Sequence, residues 1–298
     1  MTVDPLPSWR EGTCKSAILD WVKQADAMAP DERVAVFDND GTLWTEQPMV
    51  TQGVFALDRL RQLAEQDPSW RRRQPFKAYL EHDLATIATL GKQGILEFMY
   101  ATHAGMTPEA FDAVARAWLA TATHPRFKRR YTACVYQPQL ELLAYLRAHQ
   151  FATYIVSGGG VEFLRAFAGD TYDVPPEHVI GSSAKMSVQV ADGHAELHKE
   201  AQLQSFDDRD EKVVNIDLHI GRRPLLAVGN SDGDLRMLQY AKWALLVHHD
   251  DAEREYAYDA DYRISPLVDA LPEARSHHWP VVSMRQDWAT VFPAPLPM

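Results

Sequence analysis

Four polar clusters hold most of the side chains in this sequence that could do chemistry. Two of them are rich in carboxylates, and carboxylates that share a pocket raise each other's pKa unless a divalent cation neutralises them. Oxygen donors suit a hard ion such as Mg²⁺ better than zinc, which prefers His and Cys. We therefore expect a Mg²⁺ site, where the ion keeps some waters and binds a substrate phosphate. In chain order the clusters are residues 38–42 (DNDGT), 157–160 (SGGG), 229–234 (GNSDGD) and 248–251 (HHDD).

Each cluster follows a short apolar run that has the pattern of a buried strand. Strand patterns alternate with helical ones, which is typical of a parallel sheet with helices on both faces. Ligands of such a sheet bind beyond the carboxyl ends of its strands, so the four clusters are expected at one edge. We predict an α/β fold with a Rossmann-like parallel sheet as its core. The predicted strands are residues 33–37, 151–156, 225–228 and 244–247, and Asp192-Gly193 predicts a hairpin between residues 186–190 and 195–197.

The region between the first two predicted strands has a different character. Strand signals are nearly absent there, and apolar residues recur at helical spacing. The sequence therefore predicts a Rossmann-like core of residues 1–44 and 132–298, with a helical cap of residues 45–131 inserted into it. The predicted cap helices are residues 54–66, 76–90, 94–103 and 108–122.

Composition narrows the class of partner. The 298 residues carry 30 Lys and Arg against 41 Asp and Glu, a net charge of −11, which repels phosphate backbones and anionic lipid. The first residues lack the basic start and apolar run of a secretory signal, and no run approaches the ~18 apolar residues of a membrane span. Cys14 and Cys134 are too far apart in sequence to indicate a disulfide framework. We expect a cytoplasmic protein with no nucleic-acid or membrane partner, and its oligomeric state cannot be read from the sequence.

The clusters also occur in the order of a known family. Residues 38–42 resemble the first motif, D-x-D-G-T, of the haloacid dehalogenase superfamily, and especially of its phosphoserine-phosphatase-like branch. A serine that ends a strand, a later lysine and the acidic loop in VGNSDGDLRML follow in the family's order, over about residues 34–246. This branch carries its cap between the first and second motifs. The resemblance implies Mg²⁺-dependent hydrolysis of a phosphomonoester, with a small phosphorylated metabolite as the partner.

The resemblance assigns roles to the two acids of the first motif. Asp38 would be the nucleophile, which forms an aspartyl-phosphate and so divides the hydrolysis into two easier steps. Asp40, two residues further along an extended chain, would face the same pocket. It would act as an acid toward the leaving oxygen and then as a base toward water, while Asn39 points away.

Other residues would bind the phosphoryl group. The Thr42 hydroxyl and neighbouring amides would hold phosphoryl oxygens. Ser157 and Gly158 lie where a hydroxyl and the amides at the start of a helix can receive an anion. The glycines behind Ser157 allow the backbone to approach it closely.

A lysine would offset the charge on the phosphoryl group during transfer. Three lysines compete for this role, namely Lys185, Lys199 and Lys212. We favour Lys212, because its spacing before the fourth motif is closest to the family's and because it follows the predicted hairpin.

The fourth motif departs from the family pattern G-D-x-x-x-D. Asn230 occupies the position of the first acid, the usual direct metal ligand, and Asp234 matches the second acid. The neutral carbonyl oxygen of Asn230 can still bind Mg²⁺. Asp232 could supply the missing charge, so all three residues are candidate metal ligands beside Asp38 and Asp40.

The segment after the first motif carries a candidate for substrate selection. Trp44 and Glu46 place an aromatic ring beside a carboxylate, a pair that could hold an ammonium group. A tryptophan that packs against the cap explains the pattern equally well.

The paired histidines after the last predicted strand cannot both bind one ion, because adjacent side chains of a strand face opposite sides. Such a run is most often the solvated end of a strand. One of His248 and His249 could nevertheless line the pocket, since the pair emerges at the same edge of the sheet.

Two other functions fit parts of the sequence. Residues 229–233 read G-x-S-x-G between a strand and a helix, the setting of a serine-hydrolase nucleophile, which would be Ser231. A metal-binding domain with a degenerate site and no catalysis is the other alternative, and Asn230 supports it. The serine hydrolase would take its acid and base from Asp250 or Asp251 and from His277 or His278.

Overall fold

The computed structural model describes residues 4–262 and 264–294, apart from the side chains of residues 91–93 and 96. Within these residues one seven-stranded sheet forms the centre of the fold. The strands are β1 (Val34–Phe37), β2 (Ala152–Gly160), β3 (Val179–Ala191), β4 (His194–Ser205), β5 (Leu226–Gly229), β6 (Trp243–His248) and β7 (Val281–Ser283).

The sheet has the strand order β4-β3-β2-β1-β5-β6-β7. All neighbouring strands are parallel except β3 and β4, which form an antiparallel hairpin. The predicted α/β class and parallel sheet are therefore confirmed. Eleven α-helices lie in the described part of the chain: α1 (Thr13–Ala25), α2 (Thr51–Gln66), α3 (Phe76–Glu81), α4 (Leu84–Ala101), α5 (Pro108–Leu119), α6 (Gln137–Ala148), α7 (Val161–Tyr172), α8 (Asp210–Ile220), α9 (Leu235–Tyr240), α10 (Ala270–Ser276) and α11 (Met284–Asp287).

Strand β1 is buried on both faces, which explains its continuous apolar sequence. Ala35 and Phe37 pack into the core that contains residues of α1, α6 and α7. Val34 and Val36 pack into a second core with residues of α8, α9 and α10. Helices therefore cover both faces of the sheet, as the alternation of strands and helices predicts.

The hairpin of β3 and β4 is longer than its sequence indicates. Its turn lies at Asp192 and Gly193, which have φ of 52° and 79°. Positive φ at both central residues is the geometry that Asp-Gly favours in a two-residue hairpin turn, so the predicted turn is confirmed. The two strands extend over 13 and 12 residues, well beyond the predicted runs.

Helices α2 to α5 lie between β1 and β2, and one of the predicted breaks among them was wrong. The sequence predicted one helix over residues 76–90 and another over 94–103. The chain instead ends α3 at Glu81, followed by His82 with a left-handed φ of 55°, and starts α4 after Asp83. The Asp83 carboxylate accepts the Thr86 N–H at 3.0 Å, an N-cap that fixes the start of α4.

The helical insert and the hairpin are joined by backbone hydrogen bonds. The Gly105 N–H donates to the Lys199 carbonyl at 2.7 Å, and the Lys199 N–H donates to the Met106 carbonyl at 2.9 Å. The division into a core and a cap at residues 45 and 131 stays a prediction. Among the helices that the structure describes, none has both the length and the apolar character that crossing a membrane requires.

Candidate active site

A cavity of about 260 Å³ opens at the carboxyl ends of β1, β2 and β5. These strands are parallel neighbours, so the residues that follow them are brought together as expected. The helical insert and the hairpin supply another part of the wall. The lining includes Asp38, Asp40, Ser157, Gly158, Lys212, Ser231 and Asp234 from the motifs, and Gln52, Ile95, Met99, Tyr100, His103, Phe111, Glu162 and Lys199 from the opposite side.

Lys212 connects the first and fourth motifs at the bottom of the site. Its Nζ lies 2.6 Å from Asp38 Oδ1, 2.7 Å from Asp234 Oδ1 and 2.8 Å from the Val156 carbonyl. The three ammonium protons therefore each have an acceptor, and the side chain cannot move without breaking two buried ion pairs.

The other two candidate lysines lie elsewhere. Lys185 has a side chain that is 53% exposed, and its Nζ is 3.8 Å from Glu200 on the neighbouring strand. Lys199 lines the far side of the cavity, where its Nζ lies 2.9 Å from Glu162 Oε1. Of the three, only Lys212 contacts Asp38 in the described structure.

The charges in this cluster explain the shifts of its pKa values. Burial and the negative charge of Asp234 raise the pKa of Asp38, against the opposing effect of Lys212. Burial also raises the pKa of Asp40. For Lys212 the effect of burial is outweighed by the carboxylates of Asp234 and Asp38, so its pKa is raised and the lysine stays charged.

Asp40 is oriented by a tryptophan. The Trp44 Nε1–H donates to Asp40 Oδ1 at 2.7 Å, and the Trp44 ring stacks on Phe167 at 4.4 Å between centroids. Trp44 is 1% exposed, so the idea that it forms an ammonium site with Glu46 is wrong. As predicted, Asn39 points away, and its Oδ1 accepts the Tyr172 hydroxyl at 3.1 Å.

Thr42 is buried between the two motifs. Its hydroxyl donates to Asn230 Oδ1 at 3.1 Å and lies 3.5 Å from Asp38 Oδ2. The threonine is fully buried, so its side chain orients these two residues. The predicted contact between the Thr42 hydroxyl and a phosphoryl oxygen stays a prediction.

Glu46 lines the cavity, but its oxygens are already engaged. Oε1 accepts Asn230 Nδ2 at 3.0 Å and the Tyr258 hydroxyl at 2.6 Å, and Oε2 accepts the Ser265 hydroxyl at 2.6 Å. Burial raises the pKa of Glu46 well above its usual range, and the nearby Asp40 adds to this shift. A direct contact of Glu46 with substrate stays a prediction.

The two acids of the fourth motif have separate roles. Asp234 Oδ2 accepts the backbone N–H groups of Asn230 and Ser231, while its Oδ1 is bound by Lys212. Asp232 was predicted to join the metal cluster, and this is wrong. Its carboxylate accepts four hydrogen bonds from the backbone N–H groups of residues 268–270, which draw it away from the cavity.

The glycines after Ser157 belong to the strand rather than to a helix. Strand β2 continues to Gly160 with a shift of register, and α7 begins at Val161. The Ser157 hydroxyl is 1% exposed and accepts the Gly159 N–H at 3.1 Å. Gln52 of α2 was missed in the sequence, although its Oε1 accepts the Gly160 N–H at 2.7 Å.

The donors at the strand ends fit a hard divalent cation. Asp38, Asp40 and Asp234 bring three carboxylates into a buried site that contains one ammonium group, and a divalent ion balances that charge. Asp232 faces elsewhere, and Asp38, Asp40, Asn230 and Asp234 stay the candidates for direct contact, each with at least one oxygen that already accepts a hydrogen bond. Within the described residues, no three His, Cys, Asp or Glu side chains are arranged as a preformed metal site.

A segment after β6 closes the site from the other side, and we name its described residues, 249–262 and 264–270, the return segment. Tyr258 and Ser265 bind Glu46, and the amides of residues 268–270 bind Asp232. The segment also supplies His249 and Glu255, which contact the first motif and its flank. The sequence offered no spacing pattern here beyond the paired histidines.

The structure does not bring a serine-hydrolase triad together at Ser231. The Ser231 hydroxyl donates to Asp234 Oδ2 at 3.2 Å and accepts the Gly233 N–H. Of the proposed bases, His277 pairs with Glu273 and has a side chain that is 53% exposed. This serine therefore orients the fourth motif.

A family model described as haloacid dehalogenase-like hydrolase matches residues 35–239 of the chain. The match covers more than half of the 298 residues and includes β1, β2 and β5 with their polar clusters. It ends before the return segment. A search among curated proteins gave no match.

Solved structures of three bacterial proteins are similar to this chain to different degrees. A conserved protein of unknown function from Anaerococcus prevotii DSM 20548 has a TM-score of 0.59 at 16% identity, covering 95% of this chain and 94% of that one. A protein of unknown function from Bordetella pertussis Tohama I has a TM-score of 0.55 at 18% identity, covering 84% and 98%. A phosphoserine phosphohydrolase-like protein from Francisella tularensis subsp. tularensis SCHU S4 has a TM-score of 0.43 at 20% identity, covering 82% and 99%. At these identities the first two show a shared fold and nothing further.

Proposed function

This chain belongs to the haloacid dehalogenase-like hydrolase family, and from that premise we propose that it is a Mg²⁺-dependent phosphatase acting on a small phosphomonoester. One observation carries the proposal. Asp38 lines the cavity with its carboxylate bound to the buried Lys212, and Asp40 lines the same cavity two residues further along.

In the first step an Asp38 carboxylate oxygen attacks the phosphorus of the substrate. A bond forms between Asp38 and phosphorus, and the bond between phosphorus and the ester oxygen breaks with its electron pair moving to that oxygen. Asp40 donates a proton to the leaving oxygen, so an alcohol departs. The raised pKa of Asp40 favours the protonated carboxyl group that this step needs.

In the second step water attacks the phosphorus of the aspartyl-phosphate. Asp40, now a carboxylate, removes a proton from that water, and the electron pair of the breaking bond returns to Asp38. Phosphate leaves and both side chains regain their starting states. Trp44 keeps Asp40 in one orientation through both steps by its hydrogen bond to Oδ1.

The charge on the phosphoryl group is offset by fixed groups in the site. Lys212 holds its ammonium against Asp38, and the backbone of residues 157–160 lines the cavity beside it. Asp38 and Asn230 would hold Mg²⁺ through oxygen atoms. When bound, the ion supplies positive charge to the phosphoryl oxygens and to the buried carboxylates.

The leaving group would occupy the side of the cavity formed by the helical insert and the hairpin. A volume of about 260 Å³ suits a small metabolite rather than a polymer. The wall there combines apolar side chains with the Lys199–Glu162 ion pair. The identity of the phosphomonoester stays open between charged and uncharged alcohols.

The test is a screen of phosphomonoesters, including p-nitrophenyl phosphate, with Mg²⁺ and with EDTA. We expect hydrolysis that EDTA abolishes and Mg²⁺ restores. Asp38→Asn should lower kcat/KM on the order of 10⁴-fold or more, as removal of a nucleophile does elsewhere.

Ser231→Ala is the matched control for the serine alternative. It should retain Mg²⁺-dependent hydrolysis, and the protein should not react with a fluorophosphonate probe. A protein that is inert toward the whole panel would contradict the proposal and favour the non-catalytic metal-binding alternative.

A further inference from the structure

A buried histidine and a buried glutamate lie behind the turn of the first motif. His249 is the residue after β6, and Glu255 follows within the return segment. They are 2% and 0% exposed. Both lie outside residues 35–239, so the family model does not include them.

The two ring nitrogens of His249 face two acceptors. Nε2 is 2.7 Å from the Gly41 carbonyl oxygen, and Nδ1 is 3.3 Å from Glu255 Oε2. A carbonyl oxygen can only accept, so Nε2 carries the proton that it donates to Gly41. Nδ1 faces the Glu255 carboxylate, which contacts the other edge of the ring.

Glu255 is itself held from several directions. Its Oε1 accepts the Thr45 hydroxyl at 2.5 Å and the Tyr136 hydroxyl at 3.2 Å. Burial alone would raise the pKa of Glu255, but His249, the Thr45 hydroxyl and the Tyr256 N–H outweigh burial and lower it. The Tyr258 ring stacks on His249 at 4.3 Å between centroids, which fixes the plane of the imidazole.

Gly41 is the point at which this pair reaches the site. Its φ of +78° suits glycine, and its N–H donates to the Trp44 carbonyl at 2.8 Å. A Cβ at this position would lie 2.1 Å from Asn230 Nδ2 and 2.5 Å from Glu46 Oε1. The carbonyl that His249 contacts belongs to the peptide between Gly41 and Thr42, and a rotation of this peptide would shift the backbone that links Asp40 to Thr42, whose hydroxyl binds Asn230.

We propose that His249 is a positioning residue, which holds the Gly41 carbonyl while Glu255 holds His249, and so keeps Asp40 in line with the leaving-group oxygen. The proposal rests on the proposed function, because Asp40 has a leaving oxygen to protonate only in that reaction. His249 acts through the Gly41 backbone and does not touch the substrate.

This role makes the effect of His249 depend on the leaving group. Phenolate leaves poorly without a proton, whereas p-nitrophenolate leaves readily as the anion. The two esters have rings of similar size, and kcat/KM reports the steps up to the first phosphoryl transfer. A loss of Asp40 alignment should therefore penalise phenyl phosphate more than p-nitrophenyl phosphate.

The experiment measures kcat/KM of both esters for the full chain with Mg²⁺ and for three variants. His249→Phe keeps a ring to stack on Tyr258 but removes both ring nitrogens. We expect kcat/KM to fall on the order of tenfold further for phenyl phosphate than for p-nitrophenyl phosphate. Glu255→Gln keeps an acceptor for the histidine and should fold even if His249→Phe does not. Its kcat/KM should also fall further for phenyl phosphate than for p-nitrophenyl phosphate, by a smaller factor than in His249→Phe.

His178→Phe is the matched control. The His178 ring also stacks on a tyrosine, Tyr154 at 4.1 Å, and its Nδ1 faces the Thr153 carbonyl at 3.1 Å, but it lies away from the cavity. The ratio of its kcat/KM values for the two esters should equal that of the unmodified protein. If His249→Phe and Glu255→Gln both lower kcat/KM equally for the two esters, or do not lower it at all, the inference about His249 is overturned while the proposed function stands. Failure of the unmodified protein to hydrolyse either ester would overturn the proposed function, and the inference with it.

Discussion

The strand ends and the return segment meet at one cavity, but they contribute to it differently. The ends of β1, β2 and β5 present side chains to the cavity, among them Asp38, Asp40 and Ser157. The return segment mostly binds the residues around them, through His249 on the Gly41 carbonyl and Tyr258 on Glu46. The strand ends therefore supply the reacting groups, while the return segment restricts how they move.

The largest effect is expected at the strand ends, from Lys212→Met. The substitution leaves Asp38 and Asp234 as facing carboxylates in a buried site. We expect the free energy of unfolding without Mg²⁺ to fall by about 3–5 kcal/mol, the usual result of breaking a buried ion pair. We also expect kcat/KM to fall on the order of 10²–10³-fold. Urea unfolding and phosphoester hydrolysis measure the two effects.

Lys185→Met is the control for this variant, because Lys185 is half-exposed and only loosely paired with Glu200. It should change the free energy of unfolding by no more than about 0.5 kcal/mol. Equal effects of the two substitutions would remove the distinction between the strand-end cluster and the surface.

Asp234→Asn and Asp232→Asn make the same change at two carboxylates, one that supports the strand ends and one that binds the return segment. Asp234 supports the site through Lys212 and the Asn230 amide, so its loss should weaken Mg²⁺ binding by about 10–100-fold. Asp232 binds the backbone of the return segment, so its loss should reduce the free energy of unfolding by about 1–3 kcal/mol and leave Mg²⁺ affinity unchanged. Titration calorimetry with Mg²⁺ and urea unfolding separate the two. A loss of Mg²⁺ affinity in Asp232→Asn would show instead that Asp232 takes part in binding the metal.

Asp207 tests the cost of burying a carboxylate near the strand ends. Burial raises the pKa of Asp207 to about 6, although Asn215 Nδ2 donates to its Oδ1 at 2.9 Å. Because the folded pKa lies above the unfolded one, the stability that Asp207 contributes is complete below pH about 4 and is lost as pH rises through about 6. Asp207→Asn should not suffer this loss and should be more stable than the unmodified protein at pH 8 by up to about 3 kcal/mol. An advantage that is no larger at pH 8 than at pH 4.5 would contradict this assignment.

The smallest effect is expected in the return segment, from Tyr258→Phe. The variant loses the hydrogen bond to Glu46 Oε1 but keeps the ring that stacks on His249. We expect a loss of about 1 kcal/mol in the free energy of unfolding. Ser265→Ala removes the donor to the other Glu46 oxygen, and a double-mutant cycle would show whether the two contacts are coupled through Glu46. A coupling energy of zero would mean that Glu46 does not link the two contacts, and that other contacts hold the return segment in place.

The sequence predicted what depends on local pattern. Apolar runs placed β1, β2, β5 and β6, and the family resemblance drawn from residues 38–42 and 229–234 is confirmed by the match over residues 35–239. The Asp192-Gly193 turn was also readable, because a two-residue turn depends on its own dihedral angles.

What the sequence did not predict depends on partners that are distant in the chain. Asp232 has the spacing of a metal ligand, but backbone amides of residues 268–270 take its carboxylate. The hydrogen bond from the Thr42 hydroxyl to Asn230 joins residues that are 188 positions apart in the chain. For His249 the sequence suggested only that one histidine of the pair could line the pocket, because its contacts with Gly41 and Glu255 depend on where the return segment lies. No spacing rule reports such contacts.

The central claim is that the phosphoryl group is transferred from the substrate to Asp38. The direct measurement uses Asp40→Asn, which slows the attack of water, with p-nitrophenyl phosphate, whose leaving group departs without a proton. After an acid quench, mass spectrometry of the peptides should show the peptide with Asp38 heavier by one phosphoryl group, and Asp38→Asn should abolish that gain. Release of p-nitrophenolate with no gain on this peptide, or with the gain on Ser231, would contradict the account.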